Sequence, residues 1–314
     1  MHILKIATTL GLMHFVCCKP YQSYDENPSR TLAQSNKLPA RPSLQTMIAA
    51  NKFIGHATAF ENFAPQGGGC GLTETILKED SRSVTGGVLA FAALNVANTP
   101  GNRDIDPINR GKLDQKTSEL GLFHGGKNCG RWIEALIPWN GEKKPVKFLV
   151  ADSCYDANKW CRDDPAHVDL SIYQLVKALT GRELSEADRG RGWPINWPNP
   201  DVEWKFIDAP TTGPIRIHFV AAAKPFWPTI IISNLPRGIS KLFNKIPDGS
   251  WKEARMDSDR GQVFVLDPQP SNTYEIKYAD YDGKSDGKTY KFTLPFVCNN
   301  ANTGCPTPTP APLR

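Results

Sequence analysis

The chain has 314 residues, enough for two domains of ordinary size. Hydrophobic residues make up 40% of it, which is enough for real cores, and short β-branched and aromatic runs between Gly and Pro indicate a mostly β fold. The net charge of +5 comes from dispersed basic residues and no nucleic-acid motif is present, so we expect a solvated surface, compatible with acidic polysaccharides, and no nucleic-acid partner.

The N-terminus, residues 1–18, has the pattern of a secretory signal peptide. Lys5 supplies the positive region, Ile6 to Val16 supply the apolar core, and Val16 and Cys18 are tolerable before a cleavage site. A buried N-terminal strand or helix is the alternative. The apolar run is too short to span a membrane and no other stretch could do so. We therefore expect a secreted, extracellular chain with no membrane partner.

The polar residues 19–48 predict a flexible leader. Residues 49–178 form the first predicted unit, whose period changes from extended to helical after His167. Its four predicted strands are Phe53–Phe60, Gly86–Ala97, Asn128–Ile137 and Val146–Cys154. Strands with long loops and one short helix predict a closed barrel.

The second predicted unit spans residues 201–298, after a charged and Pro/Trp-rich linker at 179–200. Six to eight short strands, separated by turn signals such as Asp248–Gly249, indicate a β-sandwich. Residues 299–314 are a Pro/Thr-rich tail that we expect not to fold.

Cysteine usage predicts disulfides rather than a metal site. Cleavage near Cys18 leaves six of the eight cysteines, and an even number in a secreted chain points to disulfide bonds. No CxxC pair or His-rich segment supports zinc. We expect local loops at Cys154–Cys161 and Cys298–Cys305 and a long-range bridge at Cys70–Cys129, although the sequence alone does not fix the connectivity.

Three acidic residues of the first unit are candidates for catalysis: Glu61, Asp152 and Asp169. Glycosidic bond hydrolysis usually needs two carboxyl groups, of which one donates a proton. Asp169 lies between Val168 and Leu170, so burial could raise its pKa and make it a proton donor. The alternative is a helix cap at Asp169 or Ser171. For Asp152, which follows an apolar strand, the alternative is a strand-end turn residue.

Other segments could contact a ligand. Thr58 lies in a predicted strand, where an ordinary β-branched residue is the alternative, and the glycines at 67–69 permit close backbone approach. Aromatic rings stack on pyranose faces, and Phe226–Trp227 is the best pair because Pro225 and Pro228 place it at an edge. Trp251 is a second candidate for polysaccharide binding, whereas we expect Trp204 in the core and Trp193 and Trp197 in linker packing.

These motifs occur in a consistent order from about residue 53 to 298. They are GHATAF, GGGCG, VADSC, HVDLS, EWKFIDAPTTGPIRIHF, PFWPTIIISNL and DGSWKEARMD. The ordered set resembles the expansin family, especially its microbial members. The resemblance implies a six-stranded double-psi β-barrel followed by an immunoglobulin-like sandwich that binds carbohydrate. It also implies non-hydrolytic loosening of cell walls, with cellulose and matrix polysaccharides as partners. Separately, we expect no cofactor, no metal and a monomeric chain.

Position by position, the resemblance assigns a polar groove to Thr58, Asp152 and Asp169, with Asp169 as the essential acid. Phe226 and Trp227 match the first two rings of a cellulose-binding platform. The family's groove aromatic falls at Cys154, with Tyr155 next to it, and the platform's third ring falls at Ser258. Insertions at Gly101–Leu120 and Cys161–Ala166 would reshape the groove rims.

Related family-45 endoglucanases hydrolyse cellulose with a second carboxylate four residues beyond the strand Thr. That position is Asn62 here, and the neighbouring Glu61 should face the opposite side of the strand. The leading hypothesis is therefore a non-hydrolytic protein. The alternatives are an endo-β-1,4-glucanase with Asp169 as general acid, a lytic transglycosylase-like barrel and a barwin-like module without catalysis. A copper oxygenase is disfavoured because no histidine would begin the mature chain.

Overall fold

Six strands close into a barrel in a computed structural model of the chain, which describes residues 41–60, 68–73, 75–77, 90–96, 121–154, 160–161, 164–184, 195–210, 214–257 and 261–313. The barrel strands are β1 Phe53–Phe60, β2 Phe91–Asn95, β3 Trp132–Trp139, β4 Glu142–Cys154, β5 Val168–Ser171 and β6 Asp201–Ile207. Their order is β1-β5-β2-β4-β3-β6. The pairs β1–β5 and β2–β4 are parallel, and the other pairs are antiparallel.

Strand β6 corrects the predicted boundary between the two units. The sequence placed residues from 201 onward in the sandwich, but β6 pairs with both β1 and β3 and closes the barrel. Trp204, on β6, is buried as predicted and stacks on Phe53 with ring centroids 4.2 Å apart. An alternating strand has the same pattern in a barrel and in a sandwich, so periodicity could not distinguish the two.

Two further sheets form the β-sandwich. The four-stranded sheet has the order β10-β9-β13-β14 and the five-stranded sheet the order β11-β12-β8-β7-β15. The bounds are β7 Arg216–Phe219, β8 Thr229–Ser233, β9 Lys241–Lys245, β10 Trp251–Glu253, β11 Arg255–Met256, β12 Val263–Val265, β13 Thr273–Ala279, β14 Tyr290–Thr293 and β15 Thr309–Pro310. The buried rings of Phe219, Tyr274 and Phe292 pack together with centroids 5.7–5.9 Å apart. The predicted mostly β fold, a six-stranded barrel followed by a sandwich, is confirmed.

Both ends of the described chain are more ordered than the sequence predicted. Helix α1, Leu44–Ala50, begins inside the predicted leader because Met47 is buried against the core and Ser43 accepts a capping hydrogen bond from the Thr46 backbone N–H. The Pro/Thr-rich tail folds as β15, which pairs with β7 at the sheet edge. An edge position tolerates Pro310, which has no N–H to donate.

The three disulfides join the pairs predicted from the sequence: Cys70–Cys129, Cys154–Cys161 and Cys298–Cys305. The first closes a loop with a sequence separation of 59 residues across the barrel. Helix α2, Ile172–Thr180, follows β5 directly. In the described part of the chain, no helix has both the length and the apolar character needed to cross a membrane.

Candidate functional site

Thr58 and Asp169 meet on one face of the barrel. Strands β1 and β5 run parallel with Thr58 directly opposite Asp169, and the Thr58 hydroxyl donates to Asp169 Oδ1 at 2.8 Å. Asp169 is half-buried between the fully buried Val168 and Leu170. Helix α2 takes Ser171 as its N-cap, and Asp169 lies within β5. The helix-cap interpretation of Asp169 is therefore wrong.

The environment of Asp169 favours its neutral form. Burial raises its pKa to about 7, opposed by the hydrogen bond from Thr58, while the charge of Asp152 raises the pKa further and the Leu170 backbone N–H lowers it. A carboxyl group with this pKa is partly protonated near neutral pH. Asp169 can therefore donate a hydrogen bond or a proton, which an ordinary surface carboxylate cannot do at that pH.

His167 extends this pair into a three-residue chain that the sequence analysis did not include among its site residues. It is fully buried, and its Nε2 lies 3.0 Å from Thr58 Oγ1. Burial lowers the pKa of His167 to about 4, with Asp164 opposing and His56 adding to the shift, so the ring is neutral at pH 7. The only available signal was its position at the start of the HVDLS motif.

The hydrogen-bond arithmetic fixes the proton positions when Asp169 is ionised. Thr58 has a single hydroxyl proton and gives it to Asp169, so His167 Nε2 must carry a proton and donate it to Thr58 Oγ1. Nδ1 of His167 is then unprotonated, and it is buried with no hydrogen-bond partner among the described residues. Asp169, which is linked to His167 through two hydrogen bonds by way of Thr58, thus holds the His167 ring in one tautomer.

Asp152 is held by the backbone of the glycine-rich turn. Its Oδ1 accepts hydrogen bonds from the Gly69 N–H at 2.6 Å and from the Ser153 N–H at 2.7 Å. Gly68 has φ of +56°, and a Cβ there would lie 2.6 Å from Asp152 Cγ. The Gly69 carbonyl in turn accepts from the Gly261 N–H of the sandwich at 2.9 Å, so both domains brace this turn. Close backbone approach explains why glycine is needed here.

The Cys154–Cys161 disulfide lies beside the Asp169 carboxyl. Cys154 Sγ lies 4.0 Å from Asp169 Oδ2, and the two cysteines pack with Ala93. Cys154, Cys161 and His167 present possible metal-ligand atoms within 4.8 Å of one another. Because both sulfurs are bonded to each other, this cluster offers no thiolate to a metal ion.

Several residues named in the sequence analysis lie outside the described residues. Among them are Glu61, Asn62, Gly67, Tyr155, Trp193 and Ser258, together with the insertion at 101–120 and the signal-like residues 1–18. The described candidates for the site thus consist of the barrel residues above and the aromatic residues of the sandwich.

The aromatic candidates of the sandwich lie in two places. Phe226 is 62% exposed and Trp227 is half-buried, both in a tight turn closed by paired backbone hydrogen bonds between Lys224 and Trp227. This turn leads into β8 of the five-stranded sheet, whereas Trp251 begins β10 in the four-stranded sheet. Lys277 Nζ lies 4.6 Å from the Trp251 ring centroid. The two candidate surfaces therefore belong to different sheets.

Comparison with known proteins gives matches in structure only. No family model matches the sequence, and no curated protein matches it. The chain is similar to the crystal structure of the apo expansin of Clavibacter michiganensis, with 12% identity and a TM-score of 0.48 over 76% of this chain and 90% of that one. A mutant of that expansin in complex with cellohexaose gives 14% identity and a TM-score of 0.47 over the same shares. At these values, assigning a role to this chain depends on its own site.

Proposed function

We propose that this chain is a secreted expansin-like protein that binds cellulose-type polysaccharide and loosens it without hydrolysis. The observation that carries the proposal is the Asp169 carboxyl, held by Thr58 on the barrel face with a pKa raised to about 7. The signal-like N-terminus and the three disulfides support an oxidising, extracellular location.

Protonated Asp169 supplies the loosening step in this proposal. Cellulose strands are held to each other by hydrogen bonds between hydroxyl groups, and a neutral carboxyl group can both donate to and accept from those hydroxyls. A strand bound in the groove would exchange bonds to its neighbours for bonds to Asp169 and Thr58. Individual hydrogen bonds contribute only about 0.5–1.5 kcal/mol net. The free energy of binding can therefore drive this exchange, and no covalent bond is cleaved.

The state of Asp152 favours binding over hydrolysis. A general base must have an oxygen available to activate water. Asp152 Oδ1 instead accepts two short backbone hydrogen bonds, so this oxygen is already engaged by the chain and is not available to a water molecule. The sequence places Asn62 where the related hydrolases carry their second carboxylate.

The sandwich supplies attachment in this proposal. The exposed ring of Phe226 and the half-buried ring of Trp227 can stack on pyranose faces without chemistry. The barrel groove would then act on a strand of the polysaccharide to which the sandwich holds the protein.

The test is reducing-end release from amorphous cellulose and mixed-linkage glucan over a long incubation, with wild type beside Asp169→Asn. We expect no release above that of the variant, together with binding of the wild type to the same cellulose in a pull-down. Release that disappears in Asp169→Asn would contradict the proposal.

An endo-β-1,4-glucanase is the second candidate, because a pKa of about 7 also suits a general acid. Under that function Asp169 would protonate the leaving oxygen, and a second carboxylate would activate water. Product release lost in Asp169→Asn is the result that would favour it.

A further inference from the structure

The polar face around Asp169 continues along β1. Residues two apart on a strand face the same side, so His56 lies on the same face as Thr58. Asp201 of β6 is the partner of His56 in the strand register, and His56 Nδ1 lies 2.7 Å from Asp201 Oδ1. The side chains of His56 and Asp201 are 29% and 19% exposed, while the Nδ1 atom of His56 is itself buried. Beyond the Thr58–Asp169 pair, the face therefore carries a second pair of polar groups.

An aromatic ring packs against His56, one member of this second pair. The Trp160 ring packs edge-to-face with the His56 ring, with centroids 4.3 Å apart and planes at 73°. Trp160 is half-buried, so the residue retains some exposure to solvent. It directly precedes Cys161, where the sequence departs from the expansin pattern, and the motif comparison therefore gave no reason to select it.

A disulfide and a backbone hydrogen bond tether Trp160 beside His56. The disulfide from Cys161 ties its segment to the end of β4, and the Trp160 carbonyl accepts a hydrogen bond from the Asp164 N–H at 3.1 Å. The Asp164 carboxylate accepts from the backbone N–H of His56 at 2.7 Å and of Ala166 at 3.1 Å. A binding ring that is already ordered loses little entropy when the ligand binds.

We propose that Trp160, His56 and Asp201 form a further sugar-binding subsite, next to the Thr58–Asp169 pair in the same groove. The inference rests on the proposed function and adds residues and a ligand class to it. The Trp160 ring would bury the carbon-bound hydrogens of a pyranose, while the Asp201 carboxylate accepts from its hydroxyls and the imidazole of His56 contributes a further polar contact.

The charges of the groove select a neutral ligand. Asp152, Asp169, Asp164 and Asp201 all lie along this part of the barrel, and Asp169 already responds to the charge of Asp152. A uronic acid would add another negative charge to this group and be repelled. The subsite therefore suits a neutral β-linked glucan, although the chain as a whole carries a net charge of +5.

The spacing fits consecutive sugars of one strand. Thr58 and His56 are two residues apart in β1, which is about 6.6 Å along an extended strand. That distance is comparable to the length of one sugar ring in an extended chain. A glucan long enough to contact both pairs should therefore bind more tightly than one that reaches only the first.

The experiment is calorimetric titration of the full chain with neutral β-1,4-gluco-oligosaccharides of increasing length. It is made in a Phe226→Ala/Trp227→Ala background so that neither ring of the sandwich turn contributes. Trp160→Ala should weaken binding of the longest oligosaccharide by about tenfold, equivalent to about 1.4 kcal/mol. Trp160→Phe, which keeps an aromatic ring, should retain most of the affinity. The matched control is Trp139→Ala, a half-buried tryptophan on β3 of the same barrel.

The outcomes separate the two proposals. If Trp160→Ala binds like its parent while Asp169→Asn binds more weakly, the subsite is overturned and the groove stands. If the parent protein, whose groove is intact, binds no oligosaccharide, both the subsite and the proposed function are overturned. Should Trp160→Ala not fold, Asp201→Asn, expected to lose about threefold, carries the test, and unchanged affinity there overturns the subsite. Equal or tighter binding of an oligouronide would overturn the neutral ligand class.

Discussion

The barrel groove and the aromatic turn of the sandwich differ in how they hold their candidate ligand-binding groups. In the groove, Asp169, Thr58 and His167 are joined by hydrogen bonds and surrounded by buried side chains. In the sandwich, Phe226 and Trp227 lie in one turn, where the Phe226 ring is 62% exposed and Lys224 Nζ lies 5.5 Å from its centroid. A buried polar network fails when one member is lost, whereas stacking rings contribute separately. The two regions should therefore respond differently to mutation.

The largest expected effect is that of Asp169→Asn on loosening. The amide keeps the shape of the side chain and can still donate and accept, but its N–H is a much weaker hydrogen-bond donor than the carboxyl O–H and it cannot ionise, so loosening of cellulose under load should be abolished. Attachment through the sandwich should persist, leaving the bound fraction in a cellulose pull-down within about twofold. Asp248→Asn, at an exposed turn, is the control. Equal losses of loosening and attachment would show that loosening does not belong to the barrel and attachment to the sandwich.

Removing the central hydroxyl of the groove comes next. Thr58→Val keeps the shape but leaves His167 Nε2 and Asp169 without their shared partner, which should cost about 1–3 kcal/mol of stability. Because the Thr58 hydrogen bond lowers the pKa of Asp169, its loss should raise that pKa further, as followed by NMR of the carboxyl carbon. Thr58→Ser retains the hydroxyl and should resemble wild type. An unchanged pKa in Thr58→Val would break the proposed chain.

The pH dependence of stability should reveal two opposing groups. The pKa of Asp169 is raised from 3.8 to about 7, so between these pH values the folded state binds more protons than the unfolded state. The contribution of Asp169 to stability therefore falls as the pH rises from about 3.8 to about 7. The pKa of His167 is lowered from 6.5 to about 4, so its contribution rises with pH across about 4 to 6.5. In wild type the two slopes, each up to ~1.4 kcal/mol per pH unit, should largely cancel.

Each variant should expose the slope of the other group. In urea titrations, Asp169→Asn should become more stable as pH rises from 4 to 6.5, and His167→Gln should become less stable as pH rises from 4 to 7. The neighbours Asp152, Asp164 and His56 remain unchanged in both variants, so they cannot account for the difference in sign. Parallel pH profiles for the two variants would rule out this assignment.

The glycine turn offers a matched pair of smaller effects. Gly68 and Gly141 both have positive φ, but only at Gly68 would a Cβ lie within 3 Å of another group, the Asp152 carboxyl. Gly141→Ala should cost about 1 kcal/mol from backbone strain alone. Gly68→Ala should cost more and also disturb Asp152, lowering both the unfolding temperature and loosening. Equal costs at the two positions would mean that the turn does not hold Asp152.

The smallest expected effect lies in the sandwich. Trp227→Ala should weaken attachment to cellulose severalfold, and loosening should fall only in proportion to the bound fraction. Phe226→Ala should act independently, with an additive free-energy effect on binding. A complete loss of loosening in Trp227→Ala at saturating protein would show that loosening depends on the sandwich and not on the barrel groove alone.

Residues in recognisable motifs could be predicted from the sequence, whereas residues defined by distant contacts could not. The presence of Thr58 and Asp169 in one groove and the three disulfides were predicted because each residue belongs to a recognisable motif or an even cysteine set, whereas the direct Thr58–Asp169 hydrogen bond was not predicted. The placement of β6 was not predicted, because DVEWKFI alternates equally well for a strand in either domain. His167 and Trp160 depend on partners more than a hundred residues away in sequence, Thr58 and His56, and no local pattern marks such contacts.

The most direct test of the central claim measures extension and cleavage together. Strips of cellulose-rich wall are held under constant load with wild type or Asp169→Asn, and reducing ends are counted in the same bath. We predict that wild type extends the strips without new reducing ends and that Asp169→Asn does not extend them. Extension accompanied by reducing ends, with both lost in Asp169→Asn, would contradict the account and make the chain a hydrolase.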